Sequence, residues 1–329
     1  MLAYLNLKKY LDYDLNRPPS PDNPGGGVAT KTQRVLQACA QWMISGTDKL
    51  SVASKYNTVL VEPLAFSFQD SMSLEDKVKA YEDIDGIKIL YCTEMAFLRL
   101  PKPFRDSIAN ASDHITCVNH YHRNMFHKFG IRVDSILCDP IPEDVFKEGE
   151  TKERVIIAAN RIDWKKNTEG VVDAFNVFKA ETDFKLEYIG LDDMWGDNKN
   201  NPRNRDFVHQ LEDVCDTFHG TLSQSDVAKA FMRAAVFFHC AYHDVYSESL
   251  WEAMHCGAVP FAFGYHPLFE PITEHKYTDI ETLIETLNSL QEADFEEEST
   301  RVKELAMKSC AYPVFQQQLS DIFKKLGGN

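Results

Sequence analysis

The chain has 329 residues, 44% hydrophobic and 26% charged, with a formal charge of −15; this is a globular composition, long enough for two cores of about 150 residues. No apolar run reaches the ~20 residues that cross a bilayer, and residues 1–16 lack the three regions of a signal peptide, so a cytoplasmic location without stable membrane association is expected. The acidic balance excludes a protein that coats nucleic acid over its whole surface, and eight cysteines without a CxxC pair read as reduced, mostly buried thiols, not a disulfide frame or zinc site.

Strand-like runs begin at 2–7 (LAYLNL). The stretch NPGGGVATKTQRVLQA (23–38) then sets Gly25, Gly26 and Gly27 at the mouth of a helix. Glycines let a ligand approach the backbone closely, and free N–H groups at a helix start attract anions. The spacing fits neither a P-loop nor GxGxxG, so a flexible turn and a ligand-facing loop both stay open. Further strands are expected at 58–64, 87–92, 114–118 and 134–138. Glu94 follows the strand at 87–92. A carboxylate at the carboxyl end of a parallel strand points into a ligand cleft, where partial desolvation lets it accept or orient a hydroxyl proton; the alternative is an acid facing solvent.

Residues 99–132 hold Arg99, Lys102, Arg105, Arg123, Lys128 and Arg132 against Asp106 and Asp113 alone. This is either a solvated helix face or a local surface for an anionic acceptor. The proline-interrupted CDPIPEDVF (138–146) reads as a linker. The alternation restarts with strands at 154–160, 185–191, 214–220, 235–240 and 258–263, and amphipathic helices at 167–181 and 224–235. Two βα series predict an α/β protein of two Rossmann-like parallel-sheet domains facing a cleft, residues 1–140 and 141–310. A C-terminal helix at 311–329 is expected to pack back on the first. DYD (12–14) and DID (83–85) match a metal-binding DxD only as isolated triplets, so no metal ligand is assigned. His243 is read as a loop residue.

The stretch YSESLWEAMHCGAVP (246–260) reads as turn, short helix, glycine stop and buried strand. A helix starting at Ser247–Ser249, with Tyr246 and Glu248 beside it, offers unpaired N–H groups to a phosphate. Glu252 near its first turn could accept two hydrogen bonds from a ribose diol, or merely complement the helix dipole. In AANRIDWKKN (158–167), Arg161 and Lys166 place two cations where a strand enters a helix, which suits a diphosphate whose developing charge must be neutralised.

AANRIDWKKN, FHGTLSQSDV and DVYSESLWEAMHCGAVP stand in the order of the nucleotide-sugar domain of family 4 glycosyltransferases, the retaining enzymes of GT-B fold, which residues 134–270 resemble. The family's first acid of a pair falls on Asp244, and two of its glycines fall on Asn160 and Asn167. The resemblance implies that Arg161 and Lys166 hold the diphosphate and Glu252 the ribose. Asp244 would face the sugar, with Glu248 as a possible substitute, alongside backbone N–H groups of Tyr246, Ser247 and Ser249. Segments 189–195 and 218–222 would line the base, and the donor, a UDP-sugar, is a substrate, with no cofactor implied.

The first half resembles, less closely, the phage α-glucosyltransferases that act on hydroxymethylcytosine in DNA, through GGGVATK (25–31) and YCTE (91–94). That resemblance puts a catalytic acid on Glu94 and a sugar-contacting histidine on Thr93, a change that suits a pentose in place of a hexose. It implies a 5-hydroxymethylpyrimidine acceptor in phage DNA, contacted by Arg99, Lys102 and Arg105, in the host cytoplasm. The alternatives are a cell-envelope glycan or lipid acceptor, and a non-catalytic nucleotide-sugar-binding protein.

Overall fold

The computed structural model describes residues 2–5, 11–12, 14–17, 27–42, 45–47, 55–67, 72–147, 149, 151–163, 166–190, 202–242, 244, 246–264, 276–290 and 292–327. Contacts divide the chain into two units: Met1–Tyr13, Gly27–Pro140 and Cys310–Asn329 form the first, Asp14–Gly26 and Ile141–Ser309 the second.

The first unit carries a six-stranded sheet in the order β2-β1-β3-β4-β5-β6, every neighbouring pair parallel. Its strands are β1 (Leu2–Leu5), β2 (Ser45–Thr47), β3 (Thr58–Val61), β4 (Ile87–Cys92), β5 (His114–Cys117) and β6 (Ser135–Ile136). A parallel sheet covered on both faces needs continuous apolar strands. Val59, Leu60 and Val61, and likewise Ile89, Leu90, Tyr91 and Cys92, are all fully buried. The helix Tyr312–Lys325 returns to this unit. Gln316 Nε2 donates to Ala38 O at 2.8 Å, the Cys138 amide donates to Gln318 Oε1 at 3.0 Å, and Phe315 lies 6.2 Å from the Tyr91 ring.

The second unit repeats the architecture in the order β12-β11-β10-β7-β8-β9, again parallel throughout. Its strands are β7 (Glu153–Ala159), β8 (Lys185–Ile189), β9 (Thr217–Gly220), β10 (Ala234–His239), β11 (Val259–Phe263) and β12 (Lys276–Tyr277). Phe175 and Phe178, on the helix Thr168–Glu181, pack on Phe238 of β10 with ring centroids 6.2 and 5.2 Å away. The strand expected at 214–220 is shorter than its sequence suggests, because Val214 closes the helix Pro202–Val214.

Two chain reversals matter for function. Sequence order runs outward from β7 through β8 and β9, then resumes on the other side with β10; in the first sheet the same reversal falls between β1 and β3. Loops leaving the carboxyl ends of the strands diverge at such a point and leave a crevice for ligands.

Candidate functional site

The reversal in the second unit gathers the expected donor residues. β7 ends at Ala159, and the chain turns through Arg161 and Lys166 into the helix Thr168–Glu181. The turn is fixed by Asp163, whose Oδ1 accepts from the Lys166 amide at 2.9 Å while its own amide donates to Thr168 Oγ1 at 3.1 Å. Asp163 Oδ2 also holds Arg161 Nε at 2.7 Å.

Asn167 explains a departure from the resembled family, which has glycine there. Its φ is 53° and its ψ 48°, the left-handed conformation that glycine adopts freely and asparagine tolerates. Its side chain earns the position twice: Oδ1 caps the helix by accepting from the Gly170 amide at 3.2 Å, and Nδ2 donates to Cys240 O at 3.0 Å, tying β7's exit to β10's. Asn167→Ala is therefore expected to destabilise by about 2 kcal/mol, through the lost cap and the strained φ. Asn167→Gly should lose less, read as urea unfolding midpoints.

From β10's end comes Asp244, whose Oδ2 lies 2.6 Å from Lys166 Nζ and 3.9 Å from His239 Nε2. The next element is the helix Glu248–His255. Ser247 takes its N-cap position without a side-chain capping hydrogen bond, so the first-turn N–H groups receive no cap from it. Tyr246 stacks on Trp251 at 6.1 Å. Glu252 is 7% exposed. The helix stops at Gly257, φ 78°, with Gly257 N–H on Met254 O and Ala258 N–H on Ala253 O, both at 2.9 Å. This paired glycine stop turns the chain straight into β11. Asn160, beside Arg161, leaves its buried Nδ2 without a hydrogen-bond partner, a donor available to a ligand oxygen.

The corresponding crevice of the first unit holds a buried polar network. Lys31, on the helix Gly27–Ala38, donates to Thr93 Oγ1 and lies 3.6 Å from Glu62 Oε1. Thr93 Oγ1 in turn donates to Glu62 Oε1 at 2.5 Å. Tyr91 Oη donates to Asp139 Oδ1 at 2.5 Å. Lys31, Arg34, Glu62, Thr93 and Asp139 are all under 4% exposed. Burial works against the Lys31 ammonium, but Glu62, Asp139 and Glu94 outweigh it and hold its pKa above the ordinary value. Burial pushes Glu62 up to about 7, against the pull of Lys31 and the Thr93 hydroxyl. Burial raises Asp139 as well as Glu62, so the carboxylates around Lys31 and Arg34 are disposed to share a proton.

Thr93 is thus engaged by Lys31 and Glu62 in the position where the resemblance expects a sugar-contacting histidine. Glu94, next to it, is half-buried. Arg99 and Lys102 are exposed, Lys102 pairing with Asp106. Arg105 departs from the expected basic surface: it is 7% exposed, donates from Nη1 to Leu98 O at 3.1 Å, and lies 5.4 Å from the Phe129 ring. Gly25, Gly26, His243 and residues 191–195 lie outside the described residues; Gly27 opens its helix.

Several site residues escaped the sequence reading. Asp163, His239 and the Cys240 carbonyl join the site through pairings that span up to 78 residues, and Lys31 reads there only as part of a glycine loop. All eight cysteines are buried and outside any disulfide. Among the described residues no group of three His, Cys, Asp or Glu side chains could hold a metal ion, and no helix is long and apolar enough to cross a membrane.

Comparison with known proteins gives a family and a fold. The glycosyl transferases group 1 family matches residues 140–306. A search of curated protein sequences gives no match. Among solved structures, sucrose-phosphate synthase from Thermosynechococcus elongatus superposes with a TM-score of 0.73 at 13% identity, covering 99% of this chain and 98% of that one. HepE of Anabaena, in complex with UDP-glucose, gives 0.68 at 11% identity over 98% and 99%. A glycosyltransferase from Rickettsia africae gives 0.65 at 11% identity over 93% and 89%. The shared architecture is the GT-B arrangement of two parallel-sheet α/β domains.

Proposed function

The chain belongs to the glycosyl transferases group 1 family, enzymes of glycosyl transfer, and on that premise we propose that it is a retaining enzyme moving a sugar from a UDP-sugar to an acceptor hydroxyl. The observation that carries the reading is the convergence at one strand reversal of Arg161, Lys166, an N-cap without side-chain capping and the buried Glu252. Cations and the N–H groups of a helix start suit a diphosphate, and a carboxylate suits a vicinal diol. HepE, of the same fold, is seen with UDP and with UDP-glucose.

In this reading Arg161, Lys166 and the N–H groups around Ser247, Glu248 and Ser249 take up charge as the bond from the anomeric carbon to the diphosphate breaks. The electron pair goes to the leaving phosphate oxygen. The acceptor oxygen attacks from the same face, and its proton passes to a diphosphate oxygen. Glu94 orients the acceptor hydroxyl, Asp244 a sugar hydroxyl, and the Asn160 amide donates to the diphosphate. The donor is a hexose or pentose carrier and acts as substrate, with no further cofactor.

The acceptor we favour is a 5-hydroxymethylpyrimidine in phage DNA, in the host cytoplasm, supported by the exposed Arg99 and Lys102 and by the resemblance around 25–31 and 91–94. A base in duplex DNA must be flipped out to react. Mass spectrometry of hydroxymethylated DNA incubated with a panel of nucleotide sugars tests this: a sugar-mass adduct with one donor is expected, and nucleotide release without any adduct sends the acceptor to the envelope glycans. For the donor site, Glu252→Gln is expected to weaken UDP binding about tenfold to a hundredfold by calorimetry, as lost hydrogen bonds to a charged group. Unchanged affinity removes Glu252 from the ribose.

A further inference from the structure

We propose that Asp244 is a brake on nucleotide retention: its carboxylate competes with the donor's diphosphate for the Lys166 ammonium. The inference rests on the diphosphate role given to Lys166 above.

The two cations of the site have counterions of different kinds. Asp163, opposite Arg161, is part of the turn itself. Its Oδ1 accepts from the Lys166 amide at 2.9 Å, its carbonyl accepts from Thr168 Oγ1 at 3.1 Å, and its side chain is 3% exposed. Nothing in that arrangement needs to change for the Arg161 side chain, 43% exposed, to meet a ligand. Asp244 reaches Lys166 from a different segment. It comes from the segment after β10, and its Oδ2 meets Lys166 Nζ directly at 2.6 Å, with the Lys166 side chain as a whole 23% exposed. The same side chain is thus paired and partly open to solvent.

An ammonium has three N–H donors, so a diphosphate and Asp244 can both approach it. Each anion then sits beside the other, and like charges at a few ångströms repel. Among the described residues, His239 Nε2 stands 3.9 Å from the carboxylate on the β10 side, and the Arg161–Asp163 pair lies on the β7 side. The diphosphate therefore meets a partly neutralised lysine and is held less tightly than by a lone cation.

The consequence falls unequally on donor and product. With the sugar attached, a hydroxyl gives Asp244 another hydrogen-bond partner. Once the sugar has left with the acceptor, that partner is gone, Asp244 returns to Lys166, and the nucleoside diphosphate departs. Product release limits turnover in many enzymes, so a carboxylate in this place raises turnover while costing affinity.

Calorimetric titration of the full chain with UDP and with UDP-glucose tests this, using wild type, Asp244→Asn, Lys166→Met and the double variant at one salt concentration. Asp244→Asn is expected to bind UDP about fivefold to tenfold tighter, the range set by a partly exposed charge pair, and to gain less for UDP-glucose. In the Lys166→Met background the gain should vanish, since the cycle isolates the pair. Asp244→Ala should reproduce the gain if asparagine perturbs the loop. Equal or weaker UDP binding in both Asp244 variants, with Lys166→Met still weakening it, overturns the competition. So does a gain that survives without Lys166, which marks a general field effect. UDP binding that is absent, or indifferent to Lys166→Met, removes the diphosphate reading itself and the brake with it.

Discussion

Lys31→Met is expected to destabilise the protein by about 1–2 kcal/mol more at pH 8 than at pH 5, because it removes one partner from a buried ion pair whose carboxylate titrates at about 7. Methionine fills most of the volume of the lysine stem and discards the charge, so packing changes modestly. What remains is Glu62, under 1% exposed, with Asp139 close enough to raise its pKa and no ammonium to offset either. The pH dependence distinguishes this from a packing defect. In the wild type, burial raises Glu62 from 4.5 to about 7. The folded state therefore binds more protons than the unfolded state between those values, and stability falls as pH rises through the window. Without Lys31 the folded-state pKa climbs further, so the decline continues above 7. The penalty of the substitution should accordingly be small at pH 5, where folded Glu62 is protonated in both proteins, and largest at pH 8. Urea unfolding at the two pH values measures it, and Lys31→Met/Glu62→Gln should recover part of the loss. A pH-independent penalty below about 1 kcal/mol would instead mark the network as a solvated surface feature.

The same residues show where the sequence stops being informative. RVIIAAN, AVFFHC and AVPFAF announce β7, β10 and β11 because a strand buried on both faces must be apolar along its length. Arg161, Lys166 and Glu252 are legible for a different reason: their spacing along the chain is the spacing of a strand exit and a helix start. β2, with only Ser45–Thr47, carries no such pattern and exists because β1 offers it a parallel edge. Lys31 looks like the end of a glycine loop, yet its helix turns it inward onto Thr93 and Glu62, residues 62 and 31 positions from their partners. Arg105 counts as a surface cation in a tally of charge, and its cation–π contact with Phe129 depends on a helix packing that no local window contains. Local rules give elements and motifs; long-range pairing decides which charges are spent inside.

Lys166→Met is expected to lower kcat/KM about a thousandfold with the best donor of the nucleotide-sugar panel, in the range of losing one charged stabiliser of a departing group. The division between kcat and KM carries the physical content. Lys166 faces Asp244 at 2.6 Å, so ground-state donor binding recovers only part of its charge. As the anomeric bond breaks, the bridging oxygen gains negative charge and draws the ammonium more strongly than the intact donor does. An interaction stronger in the transition state than in the ground state appears in kcat. Most of the loss should therefore lie in kcat, with a modest rise in KM. Arg161→Lys should not be neutral either, because lysine cannot repeat the planar, multiply donating guanidinium that now grips Asp163 at 2.7 Å. Steady-state nucleotide release, with circular dichroism confirming an intact fold, measures both. A Lys166→Met enzyme with unchanged kcat and a large rise in KM would mean that the lysine only captures the donor, leaving the helix start at Ser247 and Arg161 to carry the leaving group alone.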